Sequence, residues 1–145
     1  MISQTTEYAL RAVVHLALHT EEPQTTQQIA FATKAPVAYL SKVLQSLGRA
    51  GIVRTQRGLH GGALLTKSPQ LLTVYEIVQA VDPLERIVTC PLGLISHGTN
   101  LCPLHRRLDD AICQVETAFR TSTIADLLED KTGSIPLNPF LEPSE

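Results

Sequence analysis

Cys102 and His105 are the two residues of this 145-residue sequence best placed to do chemistry together. They bracket Pro103 at an expected helix start, and their i, i+3 spacing puts thiolate and imidazole on one side of the first turn. The helix dipole favours a thiolate there. A carboxylate or a second imidazole would extend the set, so Cys, His and carboxylate together could hold zinc or an iron–sulfur cluster. His97 could join from the preceding loop. Cys113 lies eleven residues beyond Cys102 on the same helix, about 16 Å at 1.5 Å per residue, which one small cluster cannot bridge. It reads as a small apolar residue. An odd number of cysteines argues for reduced thiols, metal ligation or redox sensing rather than a disulfide framework. Structural thiols with no cofactor and a thiol redox switch are the alternatives.

A second kind of chemistry is written in the charges. Between Pro23 and Tyr75 there is no Asp or Glu, while Lys34, Lys42, Arg49, Arg54, Arg57 and Lys67 all fall there; from Glu76 onward eleven acidic residues face five basic ones. The net charge of −2 hides this split. It describes a polyanion-facing module joined to an acidic remainder.

The elements that must position these residues follow from periodicity and caps. Ser3 caps a first helix to about His19, with Leu10, Val13, Val14 and Ala17 on its buried face. Glu21-Glu22-Pro23 breaks it, and Thr25 or Thr26 caps a short second helix. Pro36 at a first helical position starts a third, with Leu40, Val43, Leu44 and Leu47 as its core stripe and Gly51 at its end. Ile52–Gln56 and Ala63–Thr66 read as two strands joined by a glycine-rich tip. Thr73 and Glu76 form a capping box for a fourth helix to about Val81. Residues 84–102 read as loop. Pro103 opens a long helix to about Arg120, where Leu104, Leu108, Ala111, Val115 and Ala118 make a short heptad seam widened by Ile112 and Phe119. Arg106 with Asp110 and Glu116 with Arg120 are its expected i, i+4 pairs. Thr123 caps a last short helix.

Helix, helix, turn, helix, hairpin, helix is the order of a winged helix-turn-helix, whose third helix lies in the major groove. Opposite its leucine stripe that helix presents Ala38, Tyr39, Ser41, Lys42 and Gln45. The hairpin carries Arg54, Gln56, Arg57 and His60 toward phosphates or the adjacent minor groove. Each has a plainer reading. Tyr39 could pack on the module, Lys42 and Arg57 could be solvated charges, and His60 could be a tolerated tip residue. A protein-interaction winged helix is the competing function, although such a surface usually mixes charge signs. No phosphate loop, nucleophile elbow or zincin helix occurs, so an enzyme is not expected.

Taken in order, Glu7-Tyr8-Ala9-Leu10-Arg11, Tyr39-Leu40-Ser41-Lys42-Val43-Leu44, Ala50-Gly51-Ile52-Val53, Arg57-Gly58 with Gly61-Gly62, and Ile77–Asp82 resemble the bacterial Rrf-two regulators of the IscR, NsrR and CymR type. The likeness runs to about Asp130. It implies a homodimeric transcription regulator, usually a repressor, whose long C-terminal helix (here 103–120) forms the dimer interface through Leu104, Leu108, Ala111, Ile112, Val115 and Phe119. A dimer expects a partly palindromic operator in double-stranded DNA. Many members hold an iron–sulfur cluster through three cysteines in the loop before that helix. The resemblance makes Cys90, Cys102 and His105 the metal candidates, with Glu7 or His97 as a further ligand, but residues 91–101 contain no middle cysteine.

The expected fold is therefore mainly α with a small β-hairpin. A winged helix-turn-helix DNA-binding domain would span 1–82, a sensor loop 83–102, the dimerisation helix and a short terminal helix 103–130, and a flexible tail 131–145. The polar opening Met1–Thr5 carries no basic flank to an apolar run, so a secretory signal is not expected and the cytoplasm is.

Overall fold

The computed structural model describes residues 2–97, 100–129 and 136–137. Nearly all of the expected tail, 131–145, lies outside them. Helix α1 (Gln4–Leu18) is the hub, packing against α2 (Thr26–Thr33), α3 (Val37–Arg49), α4 (Val74–Val81) and α6 (Ile124–Leu128). Its start is set locally: the Ser3 hydroxyl accepts the Thr6 N–H at 3.2 Å, satisfying one of the orphan donors of the first turn. Thr25, Thr73 and Thr123 each head a complete capping box, with Gln28, Glu76 and Asp126 respectively answering back. Pro36 is the N-cap of α3 rather than its first helical residue, because its ψ of 135° is extended.

The core joins Ala9, Ala12, Val13 and Leu16 of α1 to Ile29, Leu40, Val43, Leu47, Ile77 and Val78. Ile124 is fully buried in the same core. Helix α6 thus closes the fold that residues 1–82 begin. It is tied there by the Ile124 N–H donating to the Leu72 carbonyl at 2.8 Å and the Val74 N–H donating to the Ser122 carbonyl at 2.9 Å.

Strands β1 (Val53–Gln56) and β2 (Gly62–Leu65) pair antiparallel, with Val53 opposite Leu65 and Gln56 opposite Gly62. Gln24 adds a one-residue third rung through two backbone bonds with Ala63, 3.0 and 2.7 Å. A Cβ on Gly62 would stand 2.5 Å from the Gln24 backbone, so only glycine permits that rung.

The side chain of Gln24 also accepts from buried His15 of α1, Nε2 to Oε1 at 2.9 Å. Burial holds the His15 imidazole below the ordinary histidine range; the Gln24 hydrogen bond opposes this and neighbouring His19 adds to it. The unfolded chain therefore takes a proton near pH 6.5 that the folded chain resists. Stability present above that pH is lost progressively as pH falls toward the folded value. Urea unfolding is expected to show a less stable protein at pH 5.5 than at 7.5, and His15→Gln should shrink that difference. An unchanged difference in the variant would remove His15 as its source.

After α4 the chain crosses to α5 (Pro103–Arg120) by a long segment that includes the 3₁₀ turn Ile95–His97. Its first part is clamped to α5: Arg86 pairs with Asp109 through two contacts of 2.7 Å, and the same carboxylate accepts the Ile87 N–H at 2.9 Å. The Arg86 guanidinium and this N–H hold the Asp109 carboxyl down to about 2. Farther along α5, the Arg120 guanidinium stacks on Tyr75 of α4, 3.6 Å from the ring centroid. Glu116 and Arg120 pair at 3.0 Å as expected. Arg106 does not take Asp110; it turns back to the Leu101 carbonyl at 3.4 Å, beyond the start of its own helix.

Candidate nucleic-acid interface and cysteine loop

Helix α3 divides cleanly. Leu40, Val43 and Leu47 are buried, while Ala38, Tyr39, Ser41, Lys42 and Gln45 are all exposed. The apolar period that anchors the helix thus turns the polar set outward. Tyr39 is held rather than loose: its ring meets Tyr8 of α1 edge-on at 5.7 Å, and the Tyr8 hydroxyl accepts from Gln4 at 2.9 Å. Half of Tyr39 remains open to solvent. Ser41 spends its hydroxyl proton on the Val37 carbonyl at 3.0 Å, leaving lone pairs outward. Arg11 locks the neighbouring helix end, donating to the Thr33 carbonyl at 3.1 Å and pairing with Glu7 at 3.0 Å.

Beside α3 stands the hairpin. Arg54, Gln56, Arg57 and His60 are exposed along it. A groove runs between the two, lined by Ser41 and Gln45 from α3, Thr55 and Gln56 from β1, and Thr26 from α2. Thr26 and Thr55 were not among the sequence candidates, since only the fold brings them to this groove. Leu59, 95% exposed at the hairpin tip, was also missed, although its glycine neighbours mark it.

In the second half, Cys102 is the N-cap of α5, and its Sγ lies 3.5 Å from His105 Nδ1. The spacing argument is met to that extent. Cys90 is buried, and its carbonyl accepts the Gly93 N–H at 3.0 Å. His97 ends the 3₁₀ turn, and Glu7 is engaged with Arg11. Among the described residues no three His, Cys, Asp or Glu side chains gather as a metal site. Two gathered donors do not fit an iron–sulfur cluster ligated within one subunit, which takes four. All three cysteines are free thiols.

Helix α5 buries none of its residues fully within the chain. Leu104 and Leu108 are 63% and 47% exposed and Ala111 is exposed, whereas Ile112 and Val115 are half-buried. Phe119, placed on the seam by periodicity, packs against the chain's own core. The open apolar face is therefore carried by the N-terminal half of the helix; Val88, Leu92 and Ile95 of the preceding segment are exposed as well.

A family model described as Rrf2, iron-dependent transcriptional regulator, matches residues 2–130. The chain belongs to the Rrf2 family. An Rrf2 relative, the HTH-type transcriptional regulator NsrR of Geobacillus kaustophilus (strain HTA426), is 33% identical over 138 residues, covering 91% of this chain and 92% of the relative. The solved structure of CymR, the global cysteine regulator of B. subtilis, superposes with a TM-score of 0.73 at 25% identity, covering 88% of this chain and 95% of that one. IscR of T. potens shares the fold, with a TM-score of 0.73 at 24% identity over 90% of this chain and 87% of that one. Rrf2 membership makes the chain a DNA-binding transcription regulator and not an enzyme. The mainly helical winged fold is the family's own.

Proposed function

We propose that the chain is a homodimeric repressor that reads a partly palindromic operator in the cytoplasm. No helix among the described residues is long and apolar enough to cross a membrane. The observation that carries the reading is the outward polar face of α3 beside an acid-free hairpin: every sequence candidate on both elements is exposed. In this reading Ser41, Lys42 and Gln45 enter the major groove, where base edges are distinguishable. Tyr39, braced by Tyr8, sets the depth of entry, and Ala38 leaves room for a thymine methyl. Arg54, Arg57 and His60 hold the flanking phosphates and fix register. Residues 1–82, closed by α6, do the reading and α5 carries the pairing, with the Leu104, Leu108 and Ala111 face meeting its copy. A hydroxyl-radical footprint on a duplex that the full chain recovers from a random pool tests it.

Control enters through the 83–102 segment, whose Arg86–Asp109 clamp ties it to the pairing helix. An iron-dependent signal there needs donors beyond Cys102 and His105, from Cys90 after rearrangement or from Glu7 of a second subunit. The incomplete donor set favours a second reading, in which the repressor carries no cluster and the Cys102 thiol or a partner sets its state. Anaerobic reconstitution separates them. Iron and visible absorbance that disappear in Cys102→Ala support the cluster reading. Iron-free, colourless protein after reconstitution supports the second, with operator affinity then expected to change on mild oxidation in the wild type and not in Cys102→Ala.

A further inference from the structure

Leu59 occupies a position that the hairpin is built to display. The Gly61 N–H donates to the Gly58 carbonyl at 3.0 Å, closing a turn with Leu59 and His60 as its two central residues. A Cβ on Gly61 would stand 2.2 Å from the Gln56 carbonyl oxygen, so no side chain can exist there. Gly58 and Gly62 carry none either. The end of the hairpin is thus bare backbone on its flanks with two side chains at the apex, thin enough for a minor groove about 6 Å wide. Arg57 and Arg54, both exposed, stand behind the apex where bordering phosphates would lie.

A single exposed leucine on a protein surface is ordinary. At the apex of a glycine-thinned hairpin backed by arginines, it matches a known physical device: apolar side chains pushed between base steps from the minor groove partly unstack them and bend the duplex. We infer that Leu59 is an apolar wedge that opens one base step beside each half-site and bends the operator. The inference rests on the DNA reading above. Part of the specificity then lies in how easily that step unstacks, which favours a pyrimidine–purine step at a place where no hydrogen bond reads the base. His60 lies next to it at the apex, where it holds a bordering phosphate.

The test uses the full chain and a duplex it recovers from a random pool. Bending is read by energy transfer between end-attached dyes, and unstacking by 2-aminopurine placed at successive steps. The wild type is expected to bend the duplex by about 20–90° and to raise 2-aminopurine emission at one step per half-site. Leu59→Ala should lose most of the bend and the emission and bind about tenfold more weakly, with an unchanged salt dependence because no charge is removed. Leu59→Phe should restore the bend. Circular dichroism should show all three folded, since the side chain packs on nothing. A straight wild-type complex overturns the wedge and leaves the DNA reading standing, as does a Leu59→Ala complex that bends like wild type, whatever its affinity. A wild type that binds no duplex at all overturns both.

Discussion

Lys42→Ala combined with Arg57→Ala is expected to weaken operator binding about 10- to 100-fold at physiological salt, with the protein still folded. Both side chains are exposed and neither makes an ion pair among the described residues, so removing them costs the fold little. Their worth lies in displaced counterions. Each phosphate neutralised adds close to one unit to the slope of log affinity against log salt, so the double variant, which removes two charges from each subunit of the dimer, should lose about four units. Each single variant should show about half of each effect, because one is on α3 and the other on the hairpin. Equal affinity and equal slope in wild type and double variant would remove both elements from the interface.

Leu104→Glu with Leu108→Glu is expected to have a larger effect still. These side chains are the exposed large apolar residues of α5, and the helix is about 27 Å long with no fully buried residue. Charging the face should turn a dimer into a monomer in sedimentation velocity while leaving helix content unchanged. A lone subunit keeps one half-site, so affinity for the selected duplex should fall toward the non-specific level, a loss of about a thousandfold or more. A variant that stays dimeric would move the interface off this face. One that becomes monomeric and still binds tightly would break the link between pairing and reading.

The helix ends were legible in the sequence because caps are local physics. Ser3, Thr25, Thr73 and Thr123 each sit within three residues of the N–H they satisfy; Ser3, Thr73 and Thr123 act as expected, and of the two candidates Thr25 and Thr26 it is Thr25 that caps. The outward face of α3 was legible for the same kind of reason, since Leu40, Val43 and Leu47 leave only one polar side. Periodicity says less where two surfaces compete for one stripe. On α5 it cannot tell Phe119, drawn into the chain's own core, from Leu108, left open. Contacts far apart in sequence left no trace. Asp109 takes Arg86, 23 residues away, while Arg106 ignores the correctly spaced Asp110 for a backbone carbonyl. The burial of Ile124 among residues 1–82 was hidden likewise, because a five-residue helix carries too little pattern to announce which core it joins. At the cysteine loop the i, i+3 pair was readable and the isolation of Cys90 was not, since its place depends on how a segment with little regular structure is laid down.

The central claim is geometric: two copies of α3, held by paired α5 helices, occupy successive major grooves on one face of a duplex. Hydroxyl-radical cleavage of the selected duplex, with the full chain bound, measures this directly. The account predicts two protected segments of equal strength whose centres lie about 10–10.5 base pairs apart, or a whole multiple of that. A single protected segment, or two on opposite faces of the helix, would contradict it.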